Sequence, residues 1–319
     1  MKLSFVIPCY RSEGTIKSVV DEIIDTISLR LEYEYEIILV NDCSPDRVWS
    51  VIKKLAKENI HIKGISLSQN FGQHSALLAG YAQCTGDYVV SLDDDGQIPI
   101  EGLFCLIEKI EEGYDVVYAY YKEIKQNRFR RFGSWMARVV SEKMIESPKG
   151  FKGSSFFVAK KFVIDEIIKY KHPYPFIAGL IFRTTKNIAN VETEHRKRLQ
   201  GKSGYSIYKL FSLWMNEFTS FSVKPLELGV YMGFLMSAFG FVYAVVIIVR
   251  KLLGIAVQSG WSSIISLILI IGGVILVMLG LLGEYVGRIY ICINNAPQYV
   301  IKEVTNNNAN VNNSSECNY

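Results

Sequence analysis

Residues 228–249 form a run of 22 without a charged side chain, and residues 252–283 form a second run of 32 after Arg250 and Lys251. At 1.5 Å rise per residue, the shorter run makes a helix about 33 Å long, enough for a hydrocarbon core of about 30 Å. Uncharged runs of this length are rare in soluble cores, so two membrane helices are expected, at about 228–249 and 262–283. The gap holds Gly254, Gln258, Ser259, Gly260 and Trp261, which suits a hairpin with Trp261 near an interface.

Two spans return the chain to the side it left. Met1-Lys2 is followed only by the short apolar run Leu3 to Ile7 and then Pro8, which is not the pattern of a secretory signal. Residues 1–205 are therefore expected on the cytoplasmic side of a cell (inner) membrane. Arg288 and Lys302 agree with that orientation; Arg250 and Lys251 do not, and the large untranslocated domain outweighs them.

The rest of the composition narrows the class. Lys plus Arg number 35 against 31 Asp plus Glu, and a net charge of +4 argues against a nucleic-acid binder. Half of the residues are hydrophobic, which excludes a disordered chain. The six cysteines show no CxxC spacing and the four histidines are scattered, so no zinc site is expected. Scattered thiols suit a reducing compartment. From Asn306 on, seven of fourteen residues are Asn, and this stretch reads as disordered.

The first 120 residues alternate strand and helix patterns. Strands are expected at Leu3–Ile7, Glu36–Val40, Ile62–Leu67, Asp87–Leu92 and Val116–Ala119. Helices are expected at Glu13–Leu31, at Pro45–Glu58 with Ser44 as N-cap, at Ser75–Cys84 and at Pro99–Glu112. Helices of this length between strands imply a mostly parallel α/β sheet covered on both faces, with ligands beyond the carboxyl ends of the strands. Residues 206–224 read as an amphipathic interfacial helix, with Lys209 and Trp214 as anchors, and 293–319 as a cytoplasmic tail.

The polar residues do follow the strands. Pro8, Tyr10 and Glu13 follow the first, Asn41 and Asp42 the second, and Asp93-Asp94-Asp95-Gly96-Gln97 the fourth. In extended geometry Asp93, Asp95 and Gln97 share one side. Hard oxygen ligands at that spacing suit Mg²⁺ or Mn²⁺, which also holds substrate phosphates. A solvated acidic turn would contain the same residues.

The segments "FVIPCYRSEGTI", "EIILVNDCSPD", "LSQNFGQHSALLAGY" and "GDYVVSLDDDGQIP" resemble, in order and spacing, the family 2 glycosyltransferases of GT-A fold. "EHRKRLQGKSGYSIYKL" and "GLLGEYVGRIY" narrow the resemblance to the polyprenyl-phosphate glycosyltransferases, from Leu3 to about Glu303. The resemblance implies a Rossmann-like GT-A domain at 1–205, followed by a transmembrane hairpin within 225–292. It implies an inverting, metal-dependent enzyme that moves a sugar from a nucleotide-sugar, with a UDP-sugar favoured, to undecaprenyl phosphate. The product would serve cell-surface glycan or lipid modification. The lipid bilayer and further copies of the chain would be its partners, with no nucleic acid.

It also implies roles by position. Pro8, Tyr10, Glu13 and Asp42 line the nucleotide side. Asp93 and Asp95 face ribose and diphosphate, and Asp95 with Gln97 holds Mg²⁺ or Mn²⁺. Arg128, Arg130, His195, Arg198 and Ser203 fall where relatives meet acceptor phosphate, with Arg130 and Arg198 counted among the catalytic set beside Asp93, Asp95 and Gln97. The chain departs from relatives at Asn41, at Gln69, and in "SSFFVAKK", which has no arginine.

The chemistry is consistent with such roles. A divalent ion offsets charge growing on a leaving diphosphate. A lipid monophosphate is already anionic near neutral pH, so it needs positive charge around it more than a strong general base. A processive polysaccharide synthase would carry a Q-x-x-R-W motif, and none of the four tryptophans follows Arg. A non-catalytic scaffold or lipid translocase would not need the aspartates. A nucleotidyltransferase would place a glycine-rich loop after the first strand, where only Gly14 stands.

Overall fold

Strand β1, Lys2–Cys9, is buried at every position from Leu3 onward, because it has a neighbour on each side and a covered layer on each face. In this computed structural model, residues 1–97, 99–121, 151–193, 224–253, 260–294 and 296–305 are described. The chain divides into two compact units, one of residues 1–207 with 297–319 and one of residues 208–296.

In the first unit, β1 is followed by α1 (Ile16–Ser28), β2 (Glu34–Asn41), α2 (Val48–Glu58), β3 (Ile62–Leu67), α3 (Gln73–Tyr81) and β4 (Tyr88–Ser91). A 3₁₀ turn at Ile100–Gly102 leads into α4 (Leu103–Glu111) and β5 (Val116–Tyr121). Then come β6 (Phe157–Lys160), α5 (Lys161–Ile167), α6 (Ile177–Thr184), β7 (Ile188–Thr193) and, far along the chain, β8 (Ile301–Val304). The sheet order is β7-β5-β6-β4-β1-β2-β3-β8. β1 pairs in parallel with β2 and β4, β2 with β3, and β5 with β7. β6 is antiparallel to β4 and β5, and β8 to β3. The mostly parallel α/β sheet expected from the alternating pattern is present.

The helices bury the faces their spacing implies. On α1 these are Ile16, Val19, Val20, Ile23 and Ile27. α3 lies so close to β1 that a Cβ on Gly80 would come within 2.4 Å of Val6 Cγ1. Helix starts differ from expectation. α2 begins at Val48, not Pro45, and Ser44 does not cap it. The Ser44 hydroxyl donates to Asp46 Oδ1 at 2.6 Å and accepts from Arg11 N at 2.8 Å. Ser44 therefore joins two loops instead of closing one helix, and Asp46 Oδ1 takes the Val48 N–H at 3.3 Å.

The stretch after the hairpin, read from sequence as tail, adds β8 to the sheet edge. Glu303 Oε2 accepts from Trp49 Nε1 at 3.0 Å, and Gly64 N donates to Thr305 Oγ1 at 2.8 Å. The Gln298 amide donates to the carbonyls of Tyr170 and His172 at 3.2 and 2.9 Å.

The second unit contains α7 (Lys224–Leu252) and α8 (Trp261–Ile293). Both are long and apolar enough to cross a bilayer, over Gly229–Ile247 and Ile270–Ile293, each with a mean hydropathy of 2.0. Phe234 and Leu276 are 74% and 70% exposed, which a helix in water would avoid and a helix in lipid requires. α8 continues past residue 283 and takes in Glu284 and Arg288, whose side chains pair at 2.8 Å one turn apart.

Candidate active site

Parallel strands end together, so the loops after β1, β2 and β4 form one edge of the sheet. Pro8 is buried near the end of β1, and Tyr10 is 44% exposed just beyond it. Arg11 has φ 59°, which turns the chain sharply away from the strand, and its guanidinium lies 5.5 Å from the Tyr10 ring centroid. Glu13 is tied to the second loop twice: its N–H donates to Asp46 Oδ2 at 2.9 Å and its Oε2 accepts from Arg47 N at 3.1 Å. The loops after β1 and β2 are thereby one stitched surface. Asp46 is desolvated, but bonds from Ser44, Glu13 and Val48 outweigh that and hold its carboxyl below the usual value.

Asp42 is 3% exposed. Its Oδ1 accepts from Phe71 N at 2.8 Å and its Oδ2 from Gly72 N at 2.9 Å. Burial raises its pKa, and the two N–H bonds offset only part of that rise. Asp42 therefore shapes the β3–α3 connection, where Gly72 has φ 88°, a duty that its sequence position did not signal. Beside it, Asn41 donates to Ser66 Oγ at 2.9 Å and accepts from Ser44 N at 3.0 Å.

The aspartate run lies past the end of β4 at Ser91, so the extended alternation expected for Asp93, Asp95 and Gln97 does not apply. A turn through Gly96, φ 66°, places them instead. Asp93 Oδ1 accepts from Gln73 Nε2 at 2.8 Å, and Asp95 Oδ1 from Gln97 N at 3.1 Å. Asp94 turns toward the first loop: its Oδ2 accepts from Tyr10 N at 2.9 Å and its carbonyl from Thr15 Oγ1 at 2.6 Å. Burial pushes the Asp94 carboxyl up to about 6.

Asp94 is thus the structural member of the three, and Asp93 and Asp95 are left as the carboxylates at the edge. Among the described residues no group of three His, Cys, Asp or Glu could hold a metal alone. A pair of carboxylates fits a hard divalent cation that keeps waters and takes its other ligands from a phosphate. Asp93, Asp95 and the Gln97 amide are the residues that would hold it.

Gln73 and Asp94 carry geometry that motif reading did not assign to them. Gln73 lay in plain view in "QNFGQHS", but a hydrogen bond between loops has no periodicity to reveal it. Next to it, His74 is packed edge-on to Phe176, with ring centroids 5.5 Å apart, and burial lowers its pKa to about 4. Arg128, Arg130, His195, Arg198, Ser203 and, of the expected amphipathic segment 206–224, residues 206–223 lie outside the described residues.

Residues 4–172 match the family described as Glycosyl transferase family 2, and residues 224–289 match the GtrB C-terminal hairpin. The chain is 33% identical over 305 residues to the uncharacterized glycosyltransferase YkcC of Bacillus subtilis (strain 168), covering 95% of this chain and 94% of that one. It is 33% identical over 306 residues to the undecaprenyl-phosphate 4-deoxy-4-formamido-L-arabinose transferase of Proteus mirabilis (strain HI4320), with 95% and 94% covered. It is 32% identical over 308 residues to the SfII prophage-derived bactoprenol glucosyl transferase of Shigella flexneri, with 95% and 98% covered. Among solved structures, mannosyl-3-phosphoglycerate synthase from Rubrobacter xylanophilus matches with a TM-score of 0.53 at 19% identity, over 68% of this chain and 71% of that one. That likeness shows the fold, in agreement with the GT-A expectation.

Proposed function

Because this chain belongs to glycosyl transferase family 2, we propose that it moves a glycosyl group from a nucleotide-sugar to a polyprenyl phosphate at a membrane surface. The observation that carries this reading is the likeness, over 95% of the chain, to transferases named for undecaprenyl phosphate and bactoprenol. The GtrB-type hairpin and two apolar helices supply the membrane association that such an acceptor requires. The catalytic unit faces the cytoplasm, where nucleotide-sugars are made, and a UDP-sugar is the favoured donor.

The transfer is a direct displacement. A phosphate oxygen of the acceptor attacks the anomeric carbon, the bond from that carbon to the nucleoside diphosphate breaks, and its electron pair leaves on the diphosphate. One displacement inverts the anomeric centre. The acceptor is an anion at neutral pH, with a second phosphate pKa of about 6, so no strong base is needed. Pro8, Tyr10, Glu13 and Asp42 form the donor side, where the stitched loops fix the nucleotide. A divalent cation on Asp93, Asp95 and Gln97 would stabilise charge on the leaving diphosphate. Arg128, Arg130, His195, Arg198 and Ser203 would offset the charge of the acceptor phosphate.

The test is transfer by the purified full-length protein in detergent, supplied with undecaprenyl phosphate, labelled UDP- and GDP-sugars, and Mn²⁺ or Mg²⁺. Chelator-sensitive label in the lipid fraction with one donor is the expected result. Nucleotide release without a lipid product would overturn the acceptor assignment.

A further inference from the structure

A transfer between two phosphates needs positive charge on both halves of the site, and the sheet order separates those halves. β1 and β2 lie on one side of β4, and β6, β5 and β7 on the other. β6 runs antiparallel to β4 and β5, so the segment leading into it, from residue 151, lies at their carboxyl ends. Lys152 is the sole basic residue between positions 151 and 159.

Lys152 is held from both its backbone and its side chain. Asn190 of β7 brackets its peptide groups: Oδ1 accepts from Lys152 N at 3.2 Å, and Nδ2 donates to Lys152 O at 2.8 Å. The ammonium lies 3.8 Å from the Tyr120 ring centroid. Tyr120 in turn is fixed by its hydroxyl, which donates to Glu192 Oε2 at 2.8 Å. Residue 152 is exposed, and its ammonium forms no ion pair with a described carboxylate. The ring face engages one side of an ammonium and leaves N–H groups free to donate. A lysine held at its backbone and at its ammonium, and without an ion-pair partner among the described residues, is prepared for an anion.

We infer that Lys152 binds the phosphate of the acceptor, a phosphomonoester, on the β5–β7 side of the aspartate turn. The inference rests on the proposed transfer to a lipid monophosphate. The Tyr120 ring carries the ammonium, Asn190 sets its height along the sheet edge, and Glu192 is occupied by the Tyr120 hydroxyl.

Acceptor and donor titrations of the full-length protein test this, comparing the wild type with Lys152→Met and Lys152→Arg. Lys152→Met is expected to raise KM for undecaprenyl phosphate roughly tenfold, the size expected for one lost charge-assisted hydrogen bond. Donor KM and the thermal midpoint should stay unchanged, and Lys152→Arg should recover most of the loss. An unchanged acceptor KM in Lys152→Met overturns the inference, and so does an equal rise for donor and acceptor. Should the wild type not glycosylate polyprenyl phosphate at all, the proposed function fails first. Calorimetric binding of undecaprenyl phosphate to wild type and Lys152→Met then decides the site: weaker binding by the variant supports it, and equal binding overturns it.

Discussion

The side-chain amide of Gln73, in the first turn of α3, donates to Asp93 Oδ1 across 2.8 Å and so joins that helix to the end of β4. One carboxylate of the proposed metal site is therefore oriented by a residue from another element. Gln73→Ala should lower kcat/KM about tenfold and raise the metal concentration needed for half-maximal rate, since a hydrogen bond to a charged group contributes about 1.5–3 kcal/mol. Gln73→Glu should be worse, because it sets two carboxylates side by side. A metal titration of both variants checks this, and an unchanged metal requirement would mean that Gln73 orients nothing of consequence.

Asp95→Asn should abolish turnover and leave folding intact. Asp95 Oδ1 accepts from its own turn, Gln97 N at 3.1 Å, and an amide oxygen can still accept that bond. Single-turnover assays together with thermal unfolding separate the two effects. Near-normal rates would remove Asp95 from the metal site.

Glu36 supplies a pH dependence that is independent of catalysis. It is desolvated, which alone would raise its pKa, but bonds from Ser4, Thr85 and Lys2 outweigh that and leave it lowered from 4.5. Thr85 N donates to its Oε1 at 2.6 Å, and Lys2 Nζ lies 3.2 Å from its Oε2. A depressed folded-state pKa gives stability that is present above the unfolded value and lost as pH falls through the folded one. The difference in thermal midpoint between wild type and Glu36→Gln should therefore be constant near neutral pH and shrink below pH 4.5. A gap that persists unchanged in acid would show that the carboxylate is not the source.

Gly80→Ala should destabilise the first unit by about 1–3 kcal/mol through overpacking, since the added methyl would meet Val6 Cγ1 at 2.4 Å. Chemical unfolding of the full-length protein reads the effect. Gly72→Ala tests a different cause: nothing lies near its Cβ, and only the φ of 88° resists the change.

The strands of the sheet were legible because each is a short apolar run bounded by polar turns, and Ile62–Leu67 appears at its expected limits. Helix starts were less legible. Ser44 and Glu13 look like first-turn residues, but their hydrogen bonds go to a neighbouring loop that only the folded chain brings near. β8 escaped notice because it is four residues long, largely exposed, and contains Lys302 and Glu303, a composition typical of a sheet edge. The aspartates at the site were visible as letters, but their division of labour was not. Which of Asp93, Asp94 and Asp95 turns inward depends on the φ of Gly96 and on the Tyr10 amide, and neither leaves a mark in the spacing.

The return of the chain to β3 through β8 makes the apolar hairpin an insertion within the catalytic unit, not an appendage after it. Cutting the gene just before α7 would not release a complete soluble enzyme. It would strip the last strand from the sheet, bare the hydrogen-bonding groups of Ile65 to Leu67, and leave Trp49 without Glu303. A fragment of that kind should self-associate along the opened edge, whereas one that splices residue 223 to residue 297 through a flexible linker should stay monomeric in the same buffer.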